Sequence, residues 1–337
     1  MAPLRSLSNP VSSFNDPFAK TSARAGEVWF PFTAIIGNRG VVAGGYTPSS
    51  PNRTDTIQYF EISTTSNASD FGNLLATNFR MGGAQAAGRG VFMGGANPSP
   101  SEVIQYITVG TTGNSTDFGD LNQGRSSGAS VASPVRAVLG AGSAPGQGEV
   151  DSMDYITIKT TGDATDFGNI SQERNNVAGA SNGTRGLFMG GYKDPGPGGQ
   201  NVIDYITIAT TSNSSDFGNL DANYQAGGGC SPGVYGYYLG GDNTPGGSFS
   251  NSTKIQRVTI DTTGNASSVG DLTFWKRGMA ACASDSRGIS AGGESSWPHN
   301  NDGYLNSIEY FPGTGGNGTD FGDLIQRAVY FPGLSGQ

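Results

Sequence analysis

One phrase recurs along this chain of 337 residues, and it constrains the fold more than anything else in it. In its fourth copy, Val202-Ile203-Asp204-Tyr205-Ile206-Thr207-Ile208-Ala209-Thr210-Thr211 leads through Ser212-Asn213 to Asp216-Phe217-Gly218-Asn219-Leu220. Close copies are Ile57-Gln58-Tyr59 with Asp70-Phe71-Gly72, Ile104-Gln105-Tyr106 with Asp117-Phe118-Gly119, and Met153-Asp154-Tyr155 with Asp166-Phe167-Gly168. Two looser ones follow, Ile255-Gln256-Arg257 with Ser268-Val269-Gly270 and Ile308-Glu309-Tyr310 with Asp320-Phe321-Gly322. A second motif precedes each copy: Arg39 to Gly45, Arg89 to Gly95, Arg136 to Gly142, Arg185 to Gly191, Tyr235 to Gly241 and Arg287 to Gly293. Its anchors at 39, 89, 136, 185, 235 and 287 are spaced by 50, 47, 49, 50 and 52 residues. A period of this size belongs to repeat architectures, in which each unit buries its apolar face against its neighbours.

Each repeat divides into four short strands. In the fourth copy, strand A covers Asn176 to Ser181, and strand B runs from Arg185 to Met189 and stops at Gly190-Gly191. A Pro-rich loop leads to strand C, Val202 to Ala209, and a Ser-Asn turn leads to strand D, Ser215 to Leu220. In other copies that turn reads Gly-Asn or Gly-Asp, as suits a hairpin with positive φ. Strand A carries the smallest residues, such as Gly82-Gly83-Ala84, Gly228-Gly229-Cys230 and Ala280-Ala281-Cys282, which fits strands crowding a common axis. Strand C is bulky on both faces, which fits a sheet packed between sheets. Radially arranged four-stranded antiparallel sheets are the β-propeller solution. The sequence therefore predicts an all-β, six-bladed propeller over 26–325, with repeats of about 26–75, 76–121, 122–170, 171–220, 221–272 and 273–325. Blade one is expected to hold its own strand A near Phe30 to Ile36. Residues 1–25 read as an extended arm, and 326–337 as a closing segment packed beside blade one.

Composition excludes several classes. The chain has 55 Gly and 17 Pro, but regular Ile, Val, Tyr and Phe alternation argues for packed strands over disorder. A net charge of −8, with only 19 basic residues and no basic stripe, argues against nucleic-acid binding. No apolar run approaches the roughly 20 residues of a membrane span, and Met1 to Ala25 lacks the apolar core of a secretory signal. Cys230 and Cys282 fall at equivalent places, where other repeats have Ala84, Val131 and Ala180, and so read as compact buried hydrophobes.

Chemical motifs resolve into structure. Asp-Phe-Gly recurs in every repeat but the fifth, so it is no kinase motif; it reads as a turn whose Asp accepts backbone N–H bonds. The Gly doublets lack the Lys-Ser/Thr or the helix that a phosphate loop needs. His299 is the only histidine and has no acidic cluster about it. No catalytic residue, metal set or cofactor motif is read from the sequence. The loops between strands B and C vary while the strands hold steady, and in a propeller they share a face with the D-to-A connections. Their aromatic residues Tyr192, Phe249, Trp297 and Tyr304, together with His299, are the candidate ligand or partner contacts.

The Gly-Gly doublet closing strand B, the Tyr of strand C and the aromatic residue of strand D resemble kelch repeats over about 26–325. The third copy departs with Gly140-Ala141-Gly142, strand D has Phe where kelch repeats usually have Trp, and the fifth copy has Val269 there. The phrase Asp-Tyr-Ile-Thr-Ile-Ala-Thr-Thr with Asp-Phe-Gly-Asn-Leu is similar to repeats in structural proteins of marine tailed phages, cyanophages included. That resemblance implies a non-enzymatic virion protein, of tail-fibre type or a head decoration, made in the host cytoplasm and multimeric in the particle. Residues 1–25, with Phe14 and Phe18, would then tether the disc to other virion proteins, and the loops would meet a host surface glycan or receptor. The alternative is a glycan-binding or glycan-degrading propeller of tailspike type.

Overall fold

The computed structural model describes residues 38–49, 52–195, 198–243, 250–295 and 303–335. They belong to one compact unit, Ile36–Gln337. The arm expected at 1–25 and the strand expected near Phe30 to Ile36 lie outside the described residues. Within them the regular structure is entirely β, arranged as small antiparallel sheets in a propeller. The second repeat shows the plan, with Gly82–Ala86, Arg89–Met93, Val103–Thr108 and Thr116–Asp120 paired in chain order from axis to rim. The first repeat takes its innermost strand from the other end of the chain: Gly333–Ser335 pairs antiparallel with Arg39–Ala43, Val41 opposite Leu334. Leu334 thus holds the place that Ala84 and Cys282 hold elsewhere.

Separate four-stranded blades number five, which corrects the six expected from the repeat count. The strands of the fourth repeat lie instead in a seven-stranded sheet. Its outer strand does not stop where strand D ends elsewhere but continues as Ser215–Gln225. There Tyr224 and Gln225 pair with Asn243 and Asp242 of the fifth repeat's loop, which pair in turn with Ser250–Asn251. In every other repeat the equivalent contact is one isolated bridge, such as Phe79 with Ala96 or Ser126 with Ser143. One extra pair of residues fuses what would have been a loop contact into a ladder.

Three closed circuits of hydrogen bonds join successive repeats. At the axis, Arg80, Ser127, Asn176, Ala226, Gly278 and Tyr330 all adopt φ between 51° and 60°. The N–H of each donates to the carbonyl of the one before, and the Arg80 N–H donates to Tyr330 O at 2.7 Å, closing the loop. Midway out, the anchor arginines reach the next repeat: Arg39 Nη1 donates to Val109 O at 2.9 Å, Arg89 to Ile158 O at 3.0 Å, and Arg287 to Ile62 O at 3.0 Å across the closure. Each guanidinium also lies over the strand C tyrosine of its own repeat, with Arg89 4.3 Å from the Tyr106 ring, a cation–π contact that adds to the hydrogen bond. At the rim, Asn114 Oδ1 accepts from Asn73 N at 3.0 Å, and Asp163, Asn213, Asn265, Asn317 and Asn67 do the same for the repeats that follow.

The rim circuit corrects two readings of the sequence. The Asn of the C-to-D loop is not there for positive φ; its side chain clamps the preceding repeat, while the loop backbone pairs along that repeat's strand D (Gly113 N to Phe71 O, 2.7 Å). Asp-Phe-Gly is not a turn. It lies on strand D, where a bulge opposite Ile57 and Gln58 sends Phe71 inward and leaves Asp70 exposed. Its glycine is needed because the neighbouring loop passes over it: a Cβ on Gly72, at φ 147°, would strike the Gly113 carbonyl. Six apolar clusters fill the interior, each spanning two successive repeats; one joins Val41, Ile57 and Phe71 to Phe92, Ile107 and Val109.

Candidate binding face

The Gly doublets set up this face. Gly94 and Gly95, at φ 66° and 95°, turn the chain out of strand B, and a Cβ on Gly94 would strike the Arg125 carbonyl. The residue after each doublet then bridges the preceding D-to-A connection: Tyr46 to Val329, Ala96 to Phe79, Ser143 to Ser126, Tyr192 to Asn175, Asp242 to Gln225 and Glu294 to Arg277. The backbone pattern is constant while the side chains differ. Those positions are therefore free to vary without disturbing the sheets.

Aromatic and basic side chains concentrate where the sixth, first and second repeats meet. Tyr46 and Phe79 pack edge to face, centroids 5.1 Å apart. The Arg53 guanidinium lies 5.3 Å from the Phe79 ring centre and 5.7 Å from that of Tyr46. Arg80 stands between Phe79, at 5.5 Å, and Tyr330, at 4.6 Å. Arg277 lies 5.8 Å from Tyr330 and is ion-paired with Asp242 at 2.9 Å and Glu294 at 3.1 Å. Burial raises the Tyr330 hydroxyl above the ordinary phenol range, against the opposing pull of Arg277 and Arg80, so it is protonated at neutral pH. Tyr304 is raised likewise, by burial and then by the charge of Glu294.

This cluster borders the axial mouth. A cavity of ≈ 100 Å³ opens there, lined by Arg80, Ser127, Asn176 and Tyr330 of the φ-positive circuit and by Met81 and Phe331 among others. The circuit's backbone N–H groups are spent on one another. Arg80 Nε is buried without a hydrogen-bond partner, and among the described residues no carboxylate forms an ion pair with Arg80.

Buried ion pairs lie elsewhere and are structural. Arg174 meets Asp204 at 2.5 Å and Lys276 meets Glu309 at 2.6 Å, both in the interior, and Arg125 pairs with Asp154 at the same place in the third repeat. In the second, fifth and first repeats the same two positions hold Asn78 with Gln105, Tyr224 with Gln256 and Ala328 with Gln58. Cation and carboxylate therefore occur together or not at all, as desolvation requires. Both cysteines are buried, and burial raises both thiols, Cys282 to about 12. No group of three or more His, Cys, Asp and Glu is placed to hold a metal ion among the described residues.

Of the residues singled out from sequence, Tyr304 belongs to the cluster, bridged to Glu294 through the backbone. Tyr192 lies in the fourth repeat, half-buried in the short strand Tyr192–Lys193 and away from that cluster. Phe249, Trp297, His299, Phe14 and Phe18 lie outside the described residues. Sequence reasoning missed Arg53, Phe79, Arg80 and Tyr330. A signal for Arg80 existed: it stands nine residues before its anchor, where the third to sixth repeats carry Ser127, Asn176, Ala226 and Gly278. A large cation among small residues at one register marks a specialised position. Comparison with protein families and with curated proteins finds no match to this chain.

Proposed function

We propose that this chain is a non-enzymatic structural protein of a phage virion, of tail-fibre type or a head decoration, that presents a rigid kelch-like disc for attachment or particle assembly. In this reading residues 1–25 tether the disc to other virion proteins. The observation that supports it is the division of labour within each repeat. Contacts joining repeats recur around the ring, with one Arg–Tyr exchange in the fifth repeat, whereas the side chains after the Gly doublets vary and aromatic and basic ones gather around Tyr46, Phe79, Arg80 and Tyr330. A surface built in that way suits docking to a partner or receptor. The resemblance of the repeat phrase to marine phage structural proteins supplies the virion setting.

The aromatic–arginine cluster also favours a second reading, a glycan-binding or glycan-degrading propeller, since aromatic faces stack on sugar rings. Two measurements test the pair. Antibodies to the chain should label intact phage particles by immunogold electron microscopy; unlabelled particles would remove the virion assignment. Incubation with host surface polysaccharide should release no new reducing ends, and release of such ends would establish an enzyme instead.

A further inference from the structure

We infer that Arg80 is the anion-recognising residue of an axial binding site, and that its ligand is the carboxylate or sulfate group of an acidic saccharide. Four observations carry this. Arg80 lines the axial cavity and is only partly buried. For a guanidinium that lines a cavity without a counter-ion, a bidentate oxyanion is the ligand that matches its planar fork. The neighbouring Arg277 is already ion-paired with Asp242 and Glu294, whereas among the described residues no carboxylate pairs with Arg80. Phe79 and Tyr330 hold the Arg80 guanidinium between their rings, which removes the rotamer freedom that binding would otherwise have to freeze.

Size and neighbours narrow the ligand. The cavity of ≈ 100 Å³ has room for about three waters. It has room for one anionic group, and the rest of the saccharide can lie against the aromatic side chains beside it. Ser127 and Asn176, in the same lining, supply neutral hydrogen-bonding groups for hydroxyls. The inference rests on reading this face as an attachment surface and specifies what it attaches to.

Isothermal titration of the full chain at low ionic strength, with glucuronate, glucose 6-sulfate, glucose and free sulfate as separate probes, tests it. The acidic sugars should bind at least about tenfold more tightly than glucose, the difference expected for one charge-assisted hydrogen-bonded contact. Arg80→Gln should abolish that preference and Arg80→Lys should keep part of it, with unchanged circular dichroism showing that both variants fold. Equal affinity for glucuronate and glucose on the unmodified chain overturns the inference without recourse to any variant, as does a preference that survives Arg80→Gln. Binding of free sulfate without preference for either acidic sugar overturns the saccharide assignment. Cell attachment by the disc, measured separately, reports on the attachment reading: attachment that persists in Arg80→Gln alongside lost sugar preference would separate the two.

Discussion

The fifth repeat contains an exchange of two residues that a single-column comparison of repeats conceals. Where the others place Arg on strand B and Tyr on strand C, this one places Tyr235 on strand B and Arg257 on strand C. The partners have traded places and kept the contact: the Arg257 guanidinium lies 4.4 Å from the Tyr235 ring, and its Nη1 still donates to the next repeat, at Thr314 O. Tyr235→Arg alone sets two cations against each other, and Arg257→Tyr alone removes the reach to Thr314. Each single variant should lose stability, while the double variant should recover most of it. A urea-denaturation double-mutant cycle should give a coupling of about 1 kcal/mol, and additive losses would deny the pairing. In the sequence the fifth copy is merely loose, because a swap preserves the interaction but not the pattern. Cys282 offers a pH test at the same scale. Its thiol is pushed up to about 12 from an ordinary 9.0 by burial, so between those values the unfolded chain binds fewer protons than the native one. Stability must then fall as pH rises, by up to about 1.4 kcal/mol per pH unit from this group. Cys282→Ala, the residue native to the second and fourth repeats at Ala84 and Ala180, should show a shallower alkaline decline in melting temperature than the parent chain.

Among the elements, strand C is where burial and hydrogen bonding meet. Gln105 Oε1 accepts from Leu75 N at 2.9 Å, and Glu309 Oε2 from Thr273 N at 2.8 Å, tying each strand C to the end of the preceding repeat. Asp154 and Asp204 are shorter by a methylene and are met by the side chains of Asn122 and Ser171 instead, at 2.8 and 2.9 Å. Burial lowers the Arg174 pKa and Asp204 counters that effect, so the cation depends on its partner. Asp204→Asn should cost about 3–5 kcal/mol in chemical denaturation, because it strands a buried guanidinium. Arg174→Asn combined with Asp204→Gln, the pair already present in the second repeat, should restore most of that loss. A single variant as stable as the parent would mean that the pair is not what holds strand C. The four strands of each repeat were legible from alternation and punctuation alone. The ladder fusing the fourth repeat to Asp242–Asn243 was not, since one additional pair across a loop leaves no periodic trace.

At the scale of the molecule, stability depends on a circle that closes. Leu334 is 1 % exposed and shares a cluster with Val41, Ala43 and Phe92, and its strand supplies the inner edge of the first sheet. Leu334→Ala should cost about 2–5 kcal/mol as a core truncation. Deleting 333–337 should cost more, since it also leaves the inner edge of Arg39–Ala43 unpaired; equal urea midpoints for the full and truncated chains would show that the ring does not need its latch. What the sequence determined by itself was local: a period near 50 residues, four strands in each period, and the faces they bury, all of which follow from side-chain alternation and turn chemistry within one repeat. Contacts between distant parts of the chain were set by the closing of the ring. Arg287 meets Ile62 across 225 positions, Gly333–Ser335 completes a sheet begun at Arg39, and Tyr330 comes to rest beside Arg80. Such partners are adjacent only once the ring has closed, and the small-to-large changes that build the axial mouth acquire meaning only there.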